Sequence, residues 1–330
     1  MTGAAIFGLQ GKSLSKEERA FFKEFNPWGF ILFARNIGSK DEIKALTDEL
    51  RTCLGWECPI LIDQEGGRVA RLTAPDFREW LPPLEQSEKL PRADQYQAMS
   101  LRYRLIAHEL RDVGIDANCA PMLDIPQSDT HPIITNRCYG TDVDTVSELG
   151  RAVAEGLLAG GVLPIIKHIP GHGRGATDSH LELPIVETDL ETLSVTDFEP
   201  FRRLSDLPMA MTAHIVYPAI DPDFPATQSE TVVTMIRDDF GFDGLLMTDD
   251  LSMKALDGTF KERVTKSLNA GCDIILHCNG DMAEMTMIAD AAAEMSPKSQ
   301  SRADATIAMR HDPDPFDVEW AASKLRAWGL

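Results

Sequence analysis

Eight short runs of almost unbroken apolar residues recur along this chain, and they limit its possible folds more than any other feature. They read "AAIFGL", "GFILFA", "PILID", "DANCAPMLDI", "LPIIKH", "MAMTAH", "GLLMTD" and "CDIILHC". A strand with one wet face alternates apolar and polar side chains, whereas runs without that alternation suit parallel strands covered on both faces. Between the runs lie segments of helical periodicity: "SKEERAFFKEF", "SKDEIKALTDELRTCL", "YQAMSLRYRLIAHELRDVG", "TVSELGRAVAEGLLAGG", "ETVVTMIRDDFG" and "FKERVTKSLNAG". Several open on Ser or Thr and close at Gly, as helix ends favour. Eight strands with intervening helices in 330 residues predict the α/β class, as a single-domain (β/α)8 TIM barrel. A doubly wound open sheet is the alternative.

The ends of the runs favour the barrel. Asp63, Asp124, Lys167 with His168, His214, Asp249 and His277 each close an apolar run. In barrel enzymes the C-terminal strand ends gather at one mouth, where the chemistry sits; an open sheet spreads them along a line with one crevice. No internal linker is visible, so one domain over residues 1–330 is expected. Its last part, from about residue 296, reads as a helical appendage in which the amphipathic "VEWAASKLRAW" packs on the barrel.

Charge and composition remove whole classes of partner. The net charge of −20 argues against nucleic acid, whose phosphates need a basic face. No apolar stretch approaches the eighteen or so residues needed to span a bilayer. The opening "MTGAAIFGLQGKSLSKEER" lacks the basic and long apolar regions of a signal peptide. The six cysteines include no C-x-x-C pair, and Cys119 and Cys272 fall in apolar runs where a thiol packs as a small hydrophobe. The expectation is a cytoplasmic monomer with reduced cysteines, without membrane or nucleic-acid partners.

The segment "KHIPGHGRGATDSHLELP", residues 167–184, carries three histidines and three glycines directly after an apolar run. A metal site from His168, His172 and His180 is one reading, but the spacing lacks the helical H-x-x-x-H register and no Cys pair supports it. A dinucleotide fingerprint is another, since "GHGRGA" approaches G-x-G-x-x-A; that motif must open a helix, and "TDSHLELP" does not. A third reading is a surface loop with incidental histidines. General acid–base chemistry by Asp178 and His180 fits best. Imidazole both gives and takes a proton near neutrality, and a carboxylate two residues away could fix its tautomer. Glycines 171, 173 and 175 would let such a loop close over a substrate. No cofactor or metal is expected.

Acid–base chemistry of this kind needs a nucleophile. No G-x-S-x-G elbow is present. In "GLLMTDDLSMKAL" two adjacent carboxylates end a buried run, which is costly unless they are paired or used. Asp249 is expected to point into the mouth, with Asp250 turned away or anchoring the next loop.

Taken together, "KHIPGHGRGATDSHLELP", "GLLMTDDLSMKAL", "LIDQEGGRVARL" and "MTAHIVYP" resemble glycoside hydrolase family 3, in particular its single-domain bacterial β-N-acetylglucosaminidases of cell-wall recycling. The resemblance runs from the first strand to at least the eighth. It implies a (β/α)8 barrel and a retaining exo-hydrolase that removes terminal β-linked N-acetylglucosamine from muropeptide fragments. It implies Asp249 as nucleophile, His180 as acid/base and Asp178 as its partner. Asp63, Arg71, Arg137, Lys167 and His168 would then bind the sugar hydroxyls and acetamido group. One departure lies after "PGHG", where relatives often carry Asp-Thr and this chain has Arg174-Gly175; that leaves lid charge and acceptor preference open. Two alternatives also stand: a glycoside phosphorylase using phosphate as acceptor, since an imidazole acid/base removes one negative charge from the mouth, and a metal-dependent hydrolase built on the histidines.

Overall fold

The computed structural model describes residues 2–128, 130, 132–175 and 182–330. Its eight parallel strands close into a barrel in strict chain order, each hydrogen-bonded to the next and β8 to β1. The first half runs β1 (Gly3–Gly8), α1 (Lys16–Phe25), β2 (Pro27–Leu32), α2 (Lys40–Leu54), β3 (Ile60–Ile62), α3 (Pro83–Lys89), α4 (Arg92–Asp112) and β4 (Ala117–Asn118). After a short turn of helix, α5 (Pro132–Thr135), come α6 (Val143–Ala159), β5 (Leu163–Ile169), α7 (Leu190–Val195), α8 (Glu199–Arg203) and β6 (Met209–Thr212). The circuit closes with α9 (Glu230–Asp238), β7 (Leu245–Asp250), α10 (Phe260–Ala270), β8 (Ile274–His277) and α11 (Met282–Ala292). All eight expected strands and the six expected helices are present, and the open sheet is excluded by the β1–β8 pairing.

The helix ends follow from their sequences. Ser15, Ser39 and Thr259 cap α1, α2 and α10, and Glu18, Glu42 and Glu262 bond back to complete capping boxes. Gly55 and Gly271 end α2 and α10 in the left-handed conformation that a side chain would resist.

Successive strand residues face opposite sides, so each strand feeds two cores. One side chain set, drawn from every strand, fills the barrel; it includes Ile6, Trp28, Leu61, Ala117, Ile165, Met211, Met247 and Leu276. The intervening residues, among them Phe7, Phe30, Ile62 and Ile275, or Ile166, Ala210 and Leu246, pack outward under the helices. This two-residue period decides which polar groups reach the mouth.

Two further helices follow the circuit, α12 (Pro297–Ala308) and α13 (Val318–Ala327). Ala303 joins the barrel-filling cluster from below, and Arg302 pairs with Asp273 at 3.0 Å and Asp243 at 2.7 Å. On the flank, Ala321, Ala322 and Leu325 of α13 bury against Ala98 and Leu105 of α4.

Candidate active site

At the C-terminal mouth of the barrel lies a cavity of about 250 Å³. Six residues singled out in the sequence line it together: Asp63, Arg71, Arg137, Lys167, His168 and Asp249. Each arrives for a simple reason. Asp63 follows the inward Leu61 by two residues, Lys167 follows Ile165, and Asp249 follows Met247. Strand periodicity therefore turns all three toward the axis just above the last apolar layer. Asp178 and His180 lie outside the described residues.

Charge in the mouth is densely paired. The buried Lys167 ammonium donates to Asp63 Oδ1 at 3.0 Å and contacts Glu65 Oε1 at 2.6 Å. Arg71 reaches Asp63 Oδ2 at 3.2 Å. Arg137 grips Glu65 with two parallel hydrogen bonds of 2.9 and 2.8 Å, the fork geometry that suits guanidinium to carboxylate. Burial alone would push both carboxylates toward neutrality. The Lys167 and Arg71 charges instead hold Asp63 well below the usual range, and Arg137 with Lys167 lowers Glu65 to about 2. Burial lowers the Lys167 pKa, but Asp63 and Glu65 outweigh it and hold the ammonium charged. The result is a rigid, fully ionised lattice of fixed donors and acceptors.

Asp249 is also ionised. Desolvation opposes its charge, but His214, His168, the Asp250 amide and Lys167 together shift its pKa below the ordinary carboxylate value. The Asp250 N–H donates to Asp249 Oδ1 at 2.8 Å. Asp250 itself anchors the following loop, accepting from the Ser252 N–H at 3.0 Å, the Ser252 hydroxyl at 2.6 Å and the Cys278 N–H at 3.2 Å.

His168 is fixed from behind. Asp124 Oδ2 lies 2.7 Å from its Nδ1, while Asp124 Oδ1 accepts from the backbone N–H of His172 at 2.6 Å. Asp124 is thus buried support rather than a group open to the mouth. Burial and the neighbouring His168 lower the His172 pKa to about 4, so that ring is neutral at ordinary pH.

Not every strand-end group converges as expected. His277 sits on the outward register after Ile275, wedged edge-on between Phe7 and Phe260, with Nε2 2.8 Å from Glu284 of α11. His214 lies beneath the mouth, its Nδ1 2.8 Å from the Thr227 hydroxyl and its Nε2–H donating to the Asp250 carbonyl at 3.1 Å. The glycines of the 171–175 stretch serve a tighter purpose than loop motion alone. A Cβ on Gly173 would lie 1.9 Å from the Ile125 carbonyl oxygen, so this backbone is pressed against the β4 loop. Arg174 does not extend its charge into solvent; its Nε donates to the buried Asp197 at 2.7 Å.

Three participants were absent from the sequence reading: Glu65, the supporting role of Asp124, and Arg68, which lines the cavity. Glu65 had a signal, since it stands two residues beyond Asp63 inside "LIDQEGGRVARL". Its neighbour Gly66 adopts φ +97°, and a Cβ there would strike Trp80 and the Arg102 guanidinium, so the tight turn that aims Glu65 requires glycine.

Comparison with known proteins points one way. The profile of the glycosyl hydrolase family 3 N-terminal domain matches residues 6–308. A β-hexosaminidase of Methylobacillus flagellatus is 33% identical over 94% of this chain and 93% of its own length. Among solved structures, NagZ from Neisseria gonorrhoeae in complex with N-trifluoroacetyl-D-glucosamine superposes with a TM-score of 0.87 and 29% identity, covering 100% of this chain and 98% of that one. A family 3 β-N-acetylglucosaminidase from Paenibacillus sp. str. FPU-7 gives 0.88 and 27% over 98% of this chain, which spans 66% of that longer protein.

Proposed function

This chain belongs to glycosyl hydrolase family 3 as a β-N-acetylhexosaminidase, and on that premise we propose that it is a retaining exo-β-N-acetylglucosaminidase. One observation carries the reading: an ionised Asp249 on the inward register of β7 shares its cavity with the charge-paired set Asp63, Arg71, Lys167 and Arg137. Asp249 attacks the anomeric carbon of a terminal β-linked N-acetylglucosamine and forms a covalent glycosyl–enzyme. His180 protonates the departing oxygen, then deprotonates the incoming water, with Asp178 holding its ring. Asp63, whose two oxygens are already oriented by Lys167 and Arg71, accepts hydrogen bonds from neighbouring sugar hydroxyls. Arg137, Lys167 and His168 complete the walls of the sugar site.

The charges of Lys167, Arg71 and Arg137 are already matched by those of Asp63, Glu65 and Asp249, which supports water rather than phosphate as the acceptor. Muropeptide fragments ending in N-acetylglucosamine are the proposed substrates, taken by a cytoplasmic monomer. A slow fluorinated N-acetylglucosaminide tests the mechanism: the expected result is a stable adduct mapped to Asp249. An adduct elsewhere, or none during turnover, would overturn it.

A further inference from the structure

Where the chain leaves β5 toward Asp178 and His180, residues 171–175 are tied to the barrel by their backbone. The Tyr217 hydroxyl donates to the Gly171 carbonyl, and the Thr130 hydroxyl donates to that of Gly173. The Gly175 N–H turns back to the His172 carbonyl at 3.0 Å. The returning end is fixed as well. Ile185 bridges Val216 in parallel: the Val216 N–H donates to the Pro184 carbonyl at 3.0 Å, and the Val186 N–H to that of Val216 at 2.9 Å.

Arg174 is the only side chain among residues 173–175 that makes a hold of its own, because glycines flank it on both sides. Besides the Asp197 bond, its Nη2 reaches the Thr196 hydroxyl at 3.4 Å. Asp197 is buried, and Arg174 is its one cation within ion-pair distance among the described residues. A buried carboxylate is costly without such a partner, so the pair is held shut. The ground beneath it is firm. Asp197 sits between α7 and α8, and a Cβ on Gly171 would lie 2.9 Å from its carbonyl oxygen. The next residue, Phe198, is buried edge-on against the Tyr217 ring at 5.8 Å. Gly171, Tyr217, Phe198, Asp197 and Arg174 thus close a ring of contacts around the outgoing end.

A fixed end constrains the chemistry beyond it. A residue spans at most about 3.6 Å, so His180 lies within about 18 Å of Gly175 and about 14 Å of Pro184. Inside that reach, the direction in which the chain departs decides where the imidazole arrives, and errors of about 1 Å at a reacting group are expensive. We propose that Arg174 is a positioning residue for proton delivery: its pair with Asp197 aims the outgoing chain, and so sets how squarely His180 meets the departing oxygen. The inference rests on the acid/base role proposed for His180.

The test is kcat/KM for aryl N-acetyl-β-glucosaminides with leaving groups from dinitrophenol to phenol. The ratio between two substrates cancels any loss of folded enzyme, so a merely structural role would leave it unmoved. Arg174→Ala should lower the phenyl glycoside about tenfold more than the dinitrophenyl glycoside, whose leaving group needs little protonation. Arg174→Lys, which keeps a cation for Asp197 but not the fork, should show a smaller loss in the same direction. If circular dichroism finds Arg174→Ala unfolded, Arg174→Lys decides, and an unchanged ratio there overturns the proposal. His180→Ala, measured alongside, should show the same selectivity and a larger effect. Equal losses on both glycosides in Arg174→Ala beside a selective loss in His180→Ala overturn the positioning role and leave the acid/base role standing. No selective loss in His180→Ala removes the acid/base role and the inference with it.

Discussion

Asp124 and His168 form a buried pair, carboxylate oxygen to ring Nδ1 at 2.7 Å, in which the acid also takes the backbone N–H groups of His168 and His172. The acid sits on the β4 side and the imidazole on β5, so one contact ties two strands at the mouth. Removing it should therefore be felt twice. We expect Asp124→Ala to lower kcat/KM by about tenfold to hundredfold and to reduce the thermal midpoint, since each orphaned buried donor costs about 1–3 kcal/mol. Asp124→Asn, which keeps an acceptor oxygen, should recover part of both losses. Equal behaviour of the two variants would show that the acceptor is immaterial.

Glu65 makes a separate prediction about stability. Lys167 and Arg137 are buried against it, so Glu65→Gln leaves two cations facing Asp63 alone. Breaking a buried ion pair by deleting one partner typically costs about 3–5 kcal/mol, and denaturant unfolding should show a loss of that order.

The same residue sets an acid limit. Its folded pKa of about 2 lies below the ordinary carboxylate value, so its contribution to stability is present above about pH 4.5 and is lost as pH falls toward 2. Asp63 is depressed in the same direction. Unfolding free energy measured from pH 6 to pH 2 should therefore fall more gently in Glu65→Gln than in the wild type. An unchanged slope would remove Glu65 as its source.

Arg174 and Asp197 offer a contrast between buried and exposed pairs. Asp197 is 1% exposed, so Arg174→Ala leaves its carboxylate with only the Thr196 hydroxyl among the side chains of the described residues and should cost about 1–3 kcal/mol. Lys44→Ala, which breaks the exposed i,i+4 pair with Asp48, should change stability by less than about 0.5 kcal/mol. Thermal melts of the two variants side by side check the difference.

Kinetics separate the proposed roles at the reacting bond. Asp249→Ala should abolish turnover of every substrate. His180→Ala should slow natural disaccharides far more than activated aryl N-acetylglucosaminides, whose leaving groups need little protonation. Equal losses on both would remove the acid/base role from His180.

The barrel was legible because its evidence is repeated eight times in local pattern, and pattern survives without knowledge of neighbours. The convergence of Asp63, Lys167 and Asp249 was also readable, since each stands an even number of residues beyond an apolar position that fills the barrel. His277 misled because it too closes an apolar run, but on the odd register after Leu276; counting parity rather than noting the run's end would have placed it beside Glu284. Glu65 and Asp124 were harder to read. Their partners, Arg137, Lys167 and His168, lie 72, 102 and 44 positions away, and only closure of the barrel brings such groups together.

The alternation that aims Asp249 inward also constrains how a gene for this chain could drift. Gaining one codon between Met247 and Asp249 would turn Thr248 into the mouth and Asp249 toward the surrounding helices, while losing Thr248 would carry Asp250 into the inward position and strip the next loop of its anchor; either change leaves composition almost untouched. Insertions in the connecting loops carry no such consequence. Among descendants of this sequence, length changes inside β3, β5 and β7 should come in pairs or not at all.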